Sequence, residues 1–156
     1  MVKITPISIR EAKDEDVYEL SLFCRKLYRK AGYDIAGSFD VKKVATFMEV
    51  NLANPAFLTR VVEKDGNIVG FAAYQITENP FSQTLIGSEI FFFLDPEASD
   101  GKTFLLLLKE YEEWCKKNGC VSCKFGVIPL ENSDRIEKIL SKKKFKRAEI
   151  AYIKEI

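Results

Sequence analysis

Histidine is absent from this chain of 156 residues. That removes Ser-His-Asp and Cys-His catalysis and every metal site built with imidazole. Acid–base chemistry must then use a carboxylate, Tyr, Cys, Lys or a relayed water. There is no run of about 18 apolar residues, the mark of a spanning helix. The N-terminus lacks a basic-then-apolar signal segment. These two absences lead us to expect a cytoplasmic protein. Excess charge is missing too: 24 basic and 23 acidic residues leave a net charge of +1. Neither nucleic acid nor a membrane surface is therefore expected as a partner. Cys120-Val-Ser-Cys123 has CxxC spacing, but no second pair or His completes a zinc site, and no metal is expected. A redox CxxC would open a helix, whereas this one begins a strand. Free thiols at Cys24, Cys115, Cys120 and Cys123 are the expected state, buried or partly so.

Hydrophobic residues make up 47% of the chain and charged residues 30%, a balance that suits one globular domain over residues 1–156. The apolar pattern orders its elements. Residues 7–10 read as a strand. Asp14, Glu15 and Asp16 open a helix on which Val17, Leu20, Cys24, Leu27, Tyr28 and Ala31 recur at helical spacing, and Gly32 ends it. Asp40 caps a second helix, with Val41, Val44, Ala45, Met48 and Leu52 inward, and Asn54-Pro55 stops it. Two β-rich runs, 56–63 and 68–77, flank Lys64-Asp-Gly-Asn67, a hairpin signal. A looser segment, 78–83, precedes a strand over 85–94. A helix over 103–118 places Leu105, Leu108, Tyr111, Trp114 and Cys115 on one face, and Gly119 closes it. A strand over 121–128, a helix capped by Asn132 or Ser133 and containing Ile136, Ile139 and Leu140, and a terminal strand over 148–156 complete the order. The fold class is α/β, in the mixed α+β sense: a mixed sheet, antiparallel in its first half, with helices on both faces.

The sharpest feature is the stretch 89–114. The apolar strand Glu89-Ile-Phe-Phe-Phe-Leu94 enters a polar loop, Asp95-Pro-Glu-Ala-Ser-Asp-Gly-Lys102, that runs straight into a helix. Free backbone N–H groups and the positive end of a helix dipole then converge on one spot, which suits a phosphate. Gly101-Lys102-Thr103 also carries part of a P-loop, but the Gly required five residues before Gly101 is Pro96, and two acids lie inside the loop. The basic run Lys142-Lys-Lys-Phe-Lys-Arg147 reads as a solvated helix end that complements the dipole, or as a contact for phosphate or an acidic partner. The aromatic residues, Phe91-Phe-Phe93 among them, read mostly as core; those near 74–83 could also line an acceptor pocket.

The element order resembles the GNAT superfamily of N-acetyltransferases over nearly the whole chain. Local patterns carry it: Ile9-Arg-Glu-Ala12, Val62-Glu-Lys-Asp-Gly-Asn-Ile-Val-Gly-Phe71, Leu94-Asp-Pro-Glu97, Glu112-Glu-Trp-Cys-Lys-Lys-Asn-Gly119 and Phe145-Lys-Arg. The resemblance implies a sheet whose two central parallel strands splay apart, near Leu94 and Ile128, to admit acetyl-CoA. It implies acetyl transfer to a primary amine of a small molecule or peptide, by direct attack on the thioester. It places pantetheine on the backbone of Phe92, Phe93 and Leu94, and pyrophosphate on Ser99, Asp100, Gly101, Lys102 and Thr103. Asn132 matches a position that often touches the cofactor. Glu89 matches the base or water-relaying carboxylate; it reads equally as a Glu on a solvent face. Homodimers are common in the family. The sequence also departs from the pattern. Where the family's loop wants Arg or Gln, then Gly, then a small residue, this chain has Ser99, Lys102 and Phe104; a shift of one gives Ala98, Gly101 and Thr103. Leu140 stands where the family has a proton-donating Tyr, leaving Tyr111 and Tyr152 as substitutes. These departures support an alternative, a non-catalytic binding or regulatory module of the same fold.

Overall fold

The computed structural model describes residues 6–96 and 100–156. Among these residues five strands form one sheet in the order β1-β2-β3-β4-β5: β1 (Ser8–Glu11), β2 (Phe57–Lys64), β3 (Asn67–Glu78), β4 (Leu85–Leu94) and β5 (Cys120–Lys124). The first three pairings are antiparallel and β4 pairs with β5 in parallel. Among the described residues four α-helices cover the sheet: α1 (Val17–Lys30), α2 (Val41–Leu52), α3 (Gly101–Lys117) and α4 (Ser133–Lys142). No helix among the described residues is long and apolar enough to cross a membrane.

The period of two along the strands divides the core between the faces. Val61, Phe71, Ala73 and Phe93 pack with α1 and α2, whereas Val62, Ala72 and Tyr74 pack with α3 and α4. Helices on both faces are what the alternation of adjacent apolar residues demands. The β2–β3 hairpin turns at Asp65-Gly66, both at positive φ, as a tight turn between right-twisted strands requires. Asp40 caps α2 by accepting the Lys43 N–H at 3.0 Å.

Several sequence expectations need correction. The buried face of α3 carries Phe104, Leu107, Leu108, Tyr111 and Cys115, while Leu105 is 37% exposed. Leu105 lies one residue, about 100° of helical rotation, from the stripe that meets the sheet. The strand expected over 121–128 ends at Lys124. Residues 148–156 form no strand and are exposed throughout. A β-rich run becomes a strand only when a ladder partner takes its N–H and C=O groups, and β5 has a described neighbour only in β4. Asn132 occupies the N-cap position of α4, but its side chain makes no capping hydrogen bond.

Candidate active site

The β4–β5 ladder stops at Ser88↔Lys124. Beyond it β4 runs on for six residues to Leu94, paired only with β3 among the described residues, while the chain after Lys124 leaves the sheet. The β5-side edge of 89–94 therefore offers backbone donors and acceptors along an opening between two parallel strands. Phe92, Phe93 and Leu94 lie on this edge.

Glu89 is the first residue past the last shared pair. A register shift between Ala73 and Tyr74 leaves Ile90 as an extra residue on β4, opposite no single partner. Such a bulge re-aims side chains. It places Glu89 directly across from Tyr74, on the face covered by α3. Glu89 keeps partial exposure, yet burial of its carboxyl pushes its pKa up to about 7, opposed only in part by the Gly126 N–H. That N–H donates to Glu89 Oε2 at 3.3 Å. A Cβ at Gly126 would lie 3.1 Å from the same oxygen, so the absence of a side chain lets the chain after β5 approach the carboxylate.

Tyr74 and Tyr111 stack beneath this point, their ring centroids 4.1 Å apart and nearly parallel. Burial raises the pKa of both hydroxyls. Tyr111 donates to the Lys124 carbonyl at 2.8 Å, while the Tyr74 hydroxyl is buried with no hydrogen-bond partner among the described residues. Farther along β4, Phe92 meets Phe104 and Phe125 edge to face, with centroids 5.5 and 5.1 Å away. Phe104, a departure from the expected small residue, thus turns its ring into the core and away from the helix N-terminus.

At that N-terminus Asp100 accepts from the Thr103 N–H at 2.9 Å and from the Thr103 hydroxyl at 3.0 Å. These two bonds hold the Asp100 carboxyl below its ordinary pKa. Asp100 therefore already engages the Thr103 N–H and draws on that of Lys102 as well, which leaves Gly101 as the first N–H of α3 that Asp100 does not engage. A Cβ on Gly101 would lie 3.2 Å from Arg135 Nη2, so a guanidinium from α4 reaches the start of α3 and adds a second cation beside Lys102. Ser99 lies outside the described residues. Asn132 is exposed just ahead of α4.

The structure thus gathers Glu89, Phe92, Phe93 and Leu94 on one edge, and Asp100 to Thr103 at the helix start that follows it. Sequence reasoning missed Arg135 and Gly126, and read Tyr74 as core or acceptor-pocket lining without pairing it with Glu89. Arg135 follows Asn132 by three residues, near one helical turn, and that spacing was the available signal. Leu140 is buried in the core beside α3. Tyr152 is 92% exposed.

Neither a family model nor a curated protein sequence matches this chain. Solved structures do. A predicted acetyltransferase from Clostridium acetobutylicum, solved with acetyl-CoA, superposes with a TM-score of 0.78 at 15% identity, covering 96% of each chain. A Trypanosoma brucei acetyltransferase gives 0.71 at 16% identity, over 97% of this chain and all of its own. Glucosamine-6-phosphate N-acetyltransferase from Arabidopsis thaliana gives 0.66 at 16% identity, over 96% of this chain and 97% of its own. The chain has the fold of the GNAT acetyltransferases.

Proposed function

We propose that this chain is an acetyl-CoA-dependent N-acyltransferase whose acceptor is a primary amine of a small molecule or peptide. The observation that carries the reading is Glu89. It is a carboxylate at the parting of two parallel strands, with its pKa raised to about 7 by burial, in a fold shared with acetyltransferases.

The residues present fit the thioester cosubstrate. The open edge of β4 over Phe92, Phe93 and Leu94 has amide groups free to pair with a pantetheine arm, as a strand pairs with an added strand. The Gly101 N–H, with the Lys102 and Arg135 cations, suits a pyrophosphate. Acetyl-CoA supplies an activated acyl carbon when bound. The acceptor amine is an ammonium ion at neutral pH and cannot attack until it loses a proton. Glu89 takes that proton, directly or through one water, because a base near pH 7 is both deprotonated and strong enough to accept it. The Gly126 N–H holds the carboxylate in position. With Leu140 in the core and Tyr111 committed to a carbonyl, no side chain is assigned to protonate the leaving thiolate, and solvent serves.

The non-catalytic module remains the second reading. Its support is the Asp100 carboxylate on the α3 N-terminus, which competes with a phosphate for the same donors. Thermal unfolding with acetyl-CoA, CoA or ATP separates the two. Ligand at about 100 times its Kd adds roughly 2.7 kcal/mol, several degrees in a domain of this size. A rise with both CoA forms and not ATP, followed by turnover in an amine screen, is the expected result. A rise without turnover for any amine favours the module; no rise with either CoA form removes the acyltransferase reading.

A further inference from the structure

We infer that Cys115 and Cys123 form a thiol–disulfide exchange site for a small anionic disulfide, lodged in the lysine-rimmed cavity between the end of α3, β5 and the end of α4. The inference does not rest on acetyl transfer. The cavity holds about 360 Å³, and its wall includes Cys115, Cys120 and Cys123. Lys143, Lys144 and Lys146 approach from the segment after α4, and Lys116 and Glu112 from α3. Four ammonium groups against one carboxylate give the cavity a net positive charge, the field that concentrates an anion.

The two sulfurs are brought together by a glycine. A Cβ at Gly87 would fall 2.3 Å from Cys115 Sγ, so this sulfur sits directly over the β4 backbone. The residue paired with Gly87 across the parallel ladder is Cys123, one strand spacing, about 4.8 Å, away. The neighbouring Cys115 thiol, helped by Lys116, lowers the Cys123 pKa against the opposing effects of burial and Glu112. The same contact together with burial raises that of Cys115. Cys123 is partly exposed and Cys115 is buried, which sorts them into attacking and resolving thiols. Among the described residues no three side chains are gathered as a metal requires.

The Cys123 thiolate attacks one sulfur of the disulfide R–S–S–R. The Cys123–S–S–R bond forms, the original S–S bond breaks, and one thiolate R–S⁻ leaves. Cys115, its proton passing to solvent, then attacks the Cys123 sulfur. A Cys115–Cys123 bond forms and the second R–S⁻ departs. Two protein thiols are oxidised and one disulfide is reduced to two thiols. The basic run 142–147, which sequence reading left between a solvated helix end and an anion contact, supplies the lysines.

The test is mass spectrometry with peptide mapping after exposure of the full chain to oxidised glutathione. The expected wild-type product is a Cys115–Cys123 bridge. Cys115→Ser should instead accumulate one glutathionyl group at Cys123, and Cys123→Ser should yield neither product. Oxidised glutathione should react at least about tenfold faster than cystamine, its cationic counterpart, at low salt. Modification at Cys120 or Cys24 in place of Cys123, equal rates for the two disulfides, or unreacted wild-type thiols would overturn the inference. Mapping on the wild type decides the matter even if a variant fails to fold.

Discussion

Gly126 donates its backbone N–H to Glu89 Oε2 at 3.3 Å, one residue past the last shared pair of β4 and β5 on the Glu89 side. The bond spans the opening between the strands, so the carboxylate is held where β4 and the chain after β5 no longer pair with each other. Burial raises the Glu89 pKa and the Gly126 donor restrains the rise.

Turnover should therefore rise with pH through about 7, as Glu89 loses its proton, and level off above it. Glu89→Gln should lower kcat by roughly 10²- to 10⁴-fold and leave CoA affinity nearly unchanged. Initial rates across pH 5 to 9, with CoA binding measured in parallel, check both statements. A pH profile for wild type that lacks the inflection near 7 removes Glu89 from the mechanism.

The same shift predicts a stability effect independent of any activity. The folded Glu89 pKa of about 7 lies above the ordinary value of 4.5, so between these the folded state binds more protons than the unfolded chain. The contribution of Glu89 thus falls as pH rises from 4.5 to 7. Glu89→Gln should be more stable than wild type at pH 8, by on the order of 3 kcal/mol, with the gap closing near pH 4.5. Denaturant unfolding at the two pH values measures it.

Asp100 occupies donors at the start of α3 that a phosphate would use. Asp100→Asn keeps a capping oxygen but removes the charge. CoA affinity should improve by roughly two- to fivefold at low salt, with little change in the unfolding midpoint. Calorimetric titration reads the affinity; a weaker complex would mean that the pyrophosphate lies elsewhere.

Arg10 holds Asp16 with two bonds of 2.7 and 2.9 Å, and Asp16 also accepts the Lys13 N–H at 2.8 Å. Asp16 is only 6% exposed. Arg10→Met should destabilise the fold by about 2–3 kcal/mol at pH 7, because it strands a buried carboxylate. The Asp16 pKa is lowered, chiefly by the bonds from Arg10. The stabilisation is therefore complete above the ordinary carboxylate range and is lost as pH falls through the lower folded value. The gap between variant and wild type should shrink in acid, and urea midpoints at pH 7 and pH 3 test this.

Gly87 leaves room for the Cys115 sulfur. Gly87→Ala should cost about 1–3 kcal/mol from overpacking. Combining it with Cys115→Ala should cost less than the sum of the two single changes, since the added methyl fills the space the sulfur vacates. A double-mutant cycle in denaturant supplies the coupling; strict additivity would place the two groups out of contact.

Lys144 follows α4 at φ 66°, where the Phe145 N–H bonds the Leu140 carbonyl and the Lys144 N–H bonds that of Ser141. This is a Schellman ending with a lysine in the seat that favours glycine. Lys144→Gly should stabilise the chain by about 1 kcal/mol, read as a rise of about 2–4 °C in Tm.

The sequence by itself determined the elements. The alternation in Val61-Val62 and Phe71-Ala-Ala-Tyr74, the helical spacing from Val17 to Cys24, the turn at Asp65-Gly66 and the cap at Asp40 are all local rules, satisfied within a few residues of chain. The same rules made the run 85–94 legible residue for residue and pointed to the α3 N-terminus. They could not place what depends on a partner distant in sequence. The residue extra to the ladder at Ile90, and hence the face on which Glu89 lies, is a property of β3 and β4 together. The end of β5 at Lys124 and the bare run 148–156 follow from which edges find a ladder partner, although both segments are rich in strand-forming residues. Arg135 reaches Gly101, and Cys115 reaches Cys123 across Gly87, only because α4 and α3 pack where they do. Local pattern sets which residues face inward, whereas packing between elements sets which of those residues meet, and the chemistry resides in the meetings.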